Sequence, residues 1–413
     1  MREGWVQSGS VDLHYLEWNA EAAEQPALFL LHGLSSNARI WDRMAQHLDR
    51  RLIALDQRAH GRSPLPPAGF GIDGFAADAV AAITRLGLGR PVLAGHSWGG
   101  AVALQVAATH PELASGLAIV DFTVQPFSDR MSWTEAAKFM QPPLPLYADL
   151  QAAYDAQRSY VRDAWAADLE DFVEAGLVKD TGGYRLPLTA DVWLEILDAM
   201  FHLQSDLLWP QVAAPSLLAM AEGMPSAFVE FKRRATELAK QQVPETAVHW
   251  YRTGHDVPLE DPAGLARDLE RLCLRASYDE LALDLQALAG DWARPADGYA
   301  GWTAKDLLAH LSSSQAALPR VATSRAAGGE AGEPFDSDRW NASQLRKRQA
   351  SSPDELRDEF STGVRALDPV LSELPLEEPI GAGTYRGLSA RDAMRAMLAH
   401  QRGHLDDLTR LLG

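Results

Sequence analysis

The chain has one cysteine, Cys273, in 413 residues. A lone thiol closes no internal disulfide, so no cross-linked framework stands in for a hydrophobic core. Cations are also scarce: 38 Lys and Arg face 56 Asp and Glu, a formal net charge of −18. Nucleic-acid binders neutralise phosphates with clustered cations, so this balance argues against DNA, RNA and anionic membrane surfaces as partners. Long apolar runs are missing too. A bilayer span needs roughly 18–20 apolar residues, and the nearest approach is broken by His96, Ser97 and Gln105. The opening Met1-Arg2-Glu3-Gly4-Trp5 lacks the apolar stretch of a signal peptide. Together these features predict a soluble, cytoplasmic protein without a membrane partner, and they leave the oligomeric state open.

With 46% hydrophobic and 23% charged residues the composition is globular, and the length exceeds one ordinary domain. From residue 1 to about 260, short β-type runs alternate with helical patterns, the form of a largely parallel sheet covered by helices. Strands are expected at Gly4–Ser8, Val11–Trp18, Ala27–Leu31, Arg51–Leu55, Pro91–Ala94, Leu117–Val120, Ser216–Ala221 and Ala247–Arg252. Aromatic-rich helices, about 124–210, interrupt the series as a cap. A helix over Asp261–Leu274 closes this region. Ser277-Tyr-Asp-Glu280 then has the form of a capping box, and Thr303, Ser352 and Ser389 stand at the heads of further helical patterns. A Gly/Ala/Glu-rich break falls at Ala326–Glu333. The expected organisation is an α/β domain over 1–275 and an all-α bundle of about four helices over 276–413.

Gly95-His96-Ser97-Trp98-Gly99 fits G-x-S-x-G between an apolar run and a helical stretch, the context that motif requires. A serine hydroxyl is a weak nucleophile without a base. His255, in a loop after the last predicted strand, can supply one, and the order nucleophile first, histidine last fits. Backbone N–H groups of Leu34, after His32-Gly33, and of Trp98 are candidate oxyanion donors. With Asp56-Gln-Arg-Ala-His-Gly61-Arg-Ser63, these segments resemble the α/β-hydrolase superfamily over about residues 10–274. That family usually places its acid in a Gly-x-x-Asp turn after the strand at Ser216–Ala221; here the turn reads Ala221-Glu222-Gly223-Met224. The acid is therefore Asp121, at the end of the preceding strand, or Glu222. Asp256 reads as a loop-capping residue. His96 reads as a packing neighbour.

A serine at 97 excludes the carboxylate-nucleophile chemistries of the superfamily and predicts acyl transfer to water through an acyl-enzyme. The cap's aromatic residues predict an apolar pocket, hence an ester, thioester or lactone with a hydrophobic acyl portion. No cofactor is implied for this site.

His400 and His404 lie four apart and so project from one helical face. With 12 histidines in the chain, chance supplies about a third of one such pair, so context must decide. Gly301-Trp302-Thr303-Ala-Lys-Asp306-Leu-Leu-Ala-His310-Leu311 and the later His-x-x-x-His resemble the DinB/YfiT-like family of mycothiol-dependent maleylpyruvate isomerases and bacillithiol transferases. The resemblance implies that His310, His400 and His404 bind one divalent metal in a four-helix bundle. Three imidazoles suit zinc or nickel and leave a position open for water or a low-molecular-weight thiol. The sequence thus predicts a bifunctional serine hydrolase with a metal-binding C-terminal domain. The alternatives are a metal-dependent thiol transferase or isomerase as the main activity, and a non-catalytic ligand receptor.

Overall fold

The computed structural model describes residues 1–22, 26–140, 144–299, 301–324 and 335–413. The chain divides into two compact units, Met1–Cys273 and Leu274–Gly413. Among the described residues, no helix is long and apolar enough to cross a membrane. The Gly/Ala/Glu-rich break at Ala326–Glu333 lies outside the described residues.

The first unit contains β1 (Arg2–Ser8), β2 (Val11–Trp18), β3 (Leu28–Leu31), β4 (Leu52–Leu55), β5 (Val92–His96), β6 (Gly116–Val120), β7 (Val178–Asp180), β8 (Gly183–Arg185), β9 (Ser216–Ala221) and β10 (Ala247–Tyr251). Eight of them form one sheet in the order β1-β2-β4-β3-β5-β6-β9-β10. β1 with β2 and β2 with β4 are antiparallel, and every other neighbouring pair is parallel. Strands β3 to β6 and β9 are buried at every position. Helices on both faces exclude water, which is why these strands read as unbroken apolar runs. Each leucine, isoleucine or valine buried there contributes roughly 1.5–3 kcal/mol. At the outer edge, the β10 burial pattern alternates instead.

Register sets the site. His96 of β5 pairs with Val120 of β6, and Val120 with Ala219 of β9. The next residues, Ser97 and Asp121, therefore leave the sheet side by side at its carboxyl edge. The order β4-β3-β5 also means that the chain reverses direction across the sheet at β3, and crevices at such switch points are where open α/β sheets hold ligands.

Between β6 and β9 lie the helices Trp133–Met140, Leu150–Val161, Glu170–Ala175 and Ala190–His202. Trp193, Ile196, Leu197 and Met200 are buried in the unit's main apolar cluster, so this helix holds the insertion in place. The insertion is not wholly helical: β7 and β8 pair in an antiparallel hairpin. Thr181 and Gly182 make its tight turn, and strands of three residues are too short to show a period of two.

In the second unit the helices are the C-terminal part of Pro262–Ala287, then Ala304–Thr323, Ser337–Arg348, Pro353–Arg365, Asp368–Glu373 and Ala390–Leu412. Thr303 with Asp306 and Ser352 with Glu355 form complete capping boxes. Ser277-Tyr-Asp-Glu280 does not: one uninterrupted helix runs from Pro262 to Ala287. No glycine or proline breaks it at 274–277, and Leu274, Tyr278, Leu281 and Leu285 form one buried stripe across the expected start. An i, i+4 bond of 2.9 Å from Arg275 Nε to Asp279 spans the same turn.

Candidate active site and histidine cluster

Ser97 sits at φ 52°, ψ −120°, between β5 and the helix Trp98–Thr109. Left-handed backbone at a serine is strained, and the surroundings must hold it. They do so by close approach: a Cβ on Gly95 would lie 2.0 Å from the Gly99 carbonyl oxygen, and one on Gly99 2.3 Å from that of Leu31. The Ser97 N–H donates to the Val120 carbonyl at 2.8 Å, tying the turn to β6.

Gly33 packs against the same turn, and a Cβ there would meet the Ser97 Cβ at 3.2 Å. His32 holds this loop. Its Nε2 accepts the Gln57 N–H at 3.0 Å, and its Nδ1 donates to the Gly33 carbonyl at 2.7 Å. Burial presses the His32 pKa down, consistent with that neutral form. Among the described residues, the backbone N–H groups of Leu34 and Trp98 donate to no protein acceptor. Two free donors therefore flank Ser97, one from the loop after β3 and one from the head of the helix Trp98–Thr109.

His255 Nδ1 donates to Asp121 Oδ2 at 2.6 Å. Asp121 is itself at φ 52°, which turns its carboxylate across the sheet edge. Glu222 goes elsewhere: its carboxylate accepts from Arg233 at 2.8 Å. Asp121 is thus the acid that meets the imidazole, and Glu222 does not. Burial is the largest influence on His255 and opposes its charge, but the Asp121 hydrogen bond and charge outweigh it, and the pKa is raised. Burial also raises Asp121, and its bonds to His255 and Lys232 overcome this to leave its pKa lowered. Among the described residues, Ser97 Oγ makes no hydrogen bond to His255. Such contacts are often long before substrate binds.

Two neighbours complete the surroundings. His96 Nε2 donates to the His255 carbonyl at 2.9 Å, and the two rings lie 4.7 Å apart. Burial pushes His96 down to about 3, so it is a neutral strut. Asp256 makes no side-chain cap bond, contrary to the capping role expected for it. Lys232 was not anticipated. Its Nζ donates to Asp121 Oδ1 at 2.6 Å, to Oδ2 at 2.8 Å and to the Ala221 carbonyl at 3.1 Å.

In the second unit, His310 comes from the helix Ala304–Thr323, and His400 and His404 from Ala390–Leu412. One ring nitrogen from each lies within 4.8 Å of the others. His400 Nε2 is 3.2 Å from His310 Nε2 and 3.1 Å from His404 Nε2. Two of the three remaining nitrogens are engaged: His310 Nδ1 donates to Asn341 Oδ1 at 3.1 Å, and His404 Nδ1 to the Tyr299 hydroxyl at 2.8 Å. Tyr299 in turn donates to Asp407 at 2.5 Å. With Nδ1 protonated, the Nε2 lone pairs of His310 and His404 point at a common centre, where they repel unless a cation or proton lies between them. Burial pushes His310 and His404 down to about 4, and also lowers His400. Three neutral imidazoles are the donor set a divalent ion requires, and the residues fit one.

Residues 26–164 match the family described as alpha/beta hydrolase fold, and residues 274–409 the mycothiol maleylpyruvate isomerase N-terminal domain. Lipase LipV of Mycobacterium tuberculosis is 30% identical over 268 residues, spanning 62% of this chain and 95% of the lipase. The 2-(acetamidomethylene)succinate hydrolase of Mesorhizobium japonicum is 29% identical over 222 residues, 52% of this chain and 77% of that protein. Among solved structures, E-2-(acetamidomethylene)succinate hydrolase superposes with TM-score 0.55 at 22% identity, covering 66% of this chain and 98% of that one. The chain belongs to the α/β-hydrolase family and carries, after the hydrolase fold, a domain of the mycothiol maleylpyruvate isomerase N-terminal (DinB-like) family. It is a hydrolase enzyme.

Proposed function

We propose that the chain is a serine hydrolase that cleaves an ester, thioester or lactone with a hydrophobic acyl portion. Residues 1–275 form its catalytic domain, with the cap over about 124–210, and 276–413 a metal-binding domain. The observation that carries the hydrolytic reading is the 2.6 Å contact of His255 with Asp121 at the sheet edge that also presents Ser97. Ser97 Oγ attacks the acyl carbon while His255 Nε2 takes its proton, and the oxyanion lies against the Leu34 and Trp98 N–H groups. Collapse expels the alcohol or thiol, which receives that proton from His255. Water then repeats the sequence on the acyl-enzyme, and Ser97 is released. Asp121 keeps the imidazole in the required tautomer and balances its positive charge.

In the C-terminal domain, His310, His400 and His404 would hold one divalent ion, zinc or nickel. Such an ion would supply Lewis-acid chemistry there. Asn341 and Tyr299 keep two of the ligands in the binding tautomer. The likeness to the mycothiol family favours a second reading, in which this domain takes a low-molecular-weight thiol and transfers it. The two sites separate by mutation. Ser97→Ala is expected to abolish ester and thioester hydrolysis with metal content unchanged, and His400→Ala to lose about one equivalent of metal with hydrolysis retained. Full esterase activity in Ser97→Ala would end the first assignment, and metal-free wild type after growth in zinc and nickel the second.

A further inference from the structure

The helix Ser226–Gln242 reads as a charged surface helix, with Glu230, Lys232, Arg233, Arg234, Glu237 and Lys240 along it. Its buried positions are Lys232, Ala235, Thr236 and Ala239, a stripe of small residues with one lysine at its head. Lys232 is 5% exposed. All three of its N–H bonds end on oxygen: both Asp121 carboxylate atoms and the Ala221 carbonyl at the end of β9. These three acceptors match the three donors of a lysine ammonium group. A buried cation is unfavourable unless paired, so this one is held by the carboxylate that also accepts the His255 proton bond.

The turn after β9 supplies no aspartate, since it reads Glu222-Gly223-Met224. Asp121 reaches His255 from β6 instead, and needs an anchor to do so. The Ala221 N–H, at 2.9 Å from Oδ1, provides part of it. We infer that Lys232 is a positioning residue of the hydrolytic site: its ammonium fixes the Asp121 carboxylate in the orientation that meets His255 and shares that carboxylate's negative charge between lysine and imidazole. This rests on the assignment of Ser97, His255 and Asp121 given above.

The consequence has a definite sign. A cation beside Asp121 reduces the stabilisation of the His255 imidazolium, so the base sheds its proton at lower pH than an unshared aspartate would allow. Other charges face the same imidazole. Asp256 adjoins it, Glu260 binds the Gly254 N–H at 2.8 Å, the neutral His96 ring lies tilted against it at 4.7 Å, and Tyr160 from the insertion faces Asp121, Asp256 and Glu260. Among the described residues, Lys232 is the one cation paired with Asp121 besides His255.

The test is the rate at which a fluorophosphonate labels Ser97 in the full chain, followed from about pH 5 to 9, the range in which imidazoles titrate. In wild type the rate rises with pH to a plateau. In Lys232→Met the midpoint is expected to move up by about one unit, which makes labelling about tenfold slower below both midpoints. Lys232→Arg, which keeps the charge, stays closer to wild type. Should the methionine variant not fold, Lys232→Gln removes the charge while keeping donors and is expected to shift the same way. A folded uncharged variant with an unmoved midpoint overturns the inference. Absence of any Ser97 adduct in folded wild type instead overturns the hydrolytic assignment on which it rests.

Discussion

Asp121 answers to three partners: the Ala221 N–H, the Lys232 ammonium and the His255 imidazole. Replacing it tests which acid serves the base. Asp121→Asn is expected to lower kcat by about 10³- to 10⁴-fold, because the amide favours the wrong imidazole tautomer. Glu222→Gln is expected to stay within about twofold of wild type, since it faces Arg233. The opposite ranking in steady-state assays would transfer the role to Glu222. His255 also sets a pH dependence. As the proposed base it acts when neutral, and its pKa lies above the ordinary value, so kcat/KM is expected to rise with pH through that raised pKa and to fall on acidification. The same group contributes stability that is complete below the ordinary histidine pKa, near 6.5, and is lost as pH rises through the folded value. A kcat/KM profile flat down to about pH 5 would contradict the protonation scheme. Sequence reasoning reaches Ser97 and His255 because each lies in a local motif with fixed context. It leaves Asp121 and Glu222 open because that choice depends on which carboxylate the fold turns inward. Lys232 escapes altogether: its one sign is a place on the small-residue stripe of a charged helix, and most lysines so placed lie in solvent.

Among the elements, the parallel strands were legible to within one or two residues, because burial on both faces produces short apolar runs with sharp ends. The β7–β8 hairpin was not, being three residues a side. The long helix Pro262–Ala287 shows the converse error. A capping-box pattern at Ser277 lies inside a continuous apolar stripe, and the stripe prevails because burying leucines outweighs one cap. The Thr303 box is real, with both reciprocal bonds formed, and it opens the helix that carries His310. Thr303→Ala is therefore expected to destabilise the C-terminal unit by about 1 kcal/mol. Thermal unfolding that leaves the second unit's stability unchanged would show that packing alone places that helix start.

At the scale of the molecule, two compact units carry two separate sets of chemical groups: a serine, an imidazole and a carboxylate in one, three neutral imidazoles in the other. The family of each half was legible from ordered motifs, whereas the identity of a substrate or of a metal ion leaves no local signature in the chain. The central claim is that Ser97 is an activated nucleophile, and intact-mass spectrometry of the full chain after fluorophosphonate treatment tests it without a chosen substrate. The account predicts one adduct on wild type and none on Ser97→Ala. Equal labelling of both proteins, or none on folded wild type, would contradict it.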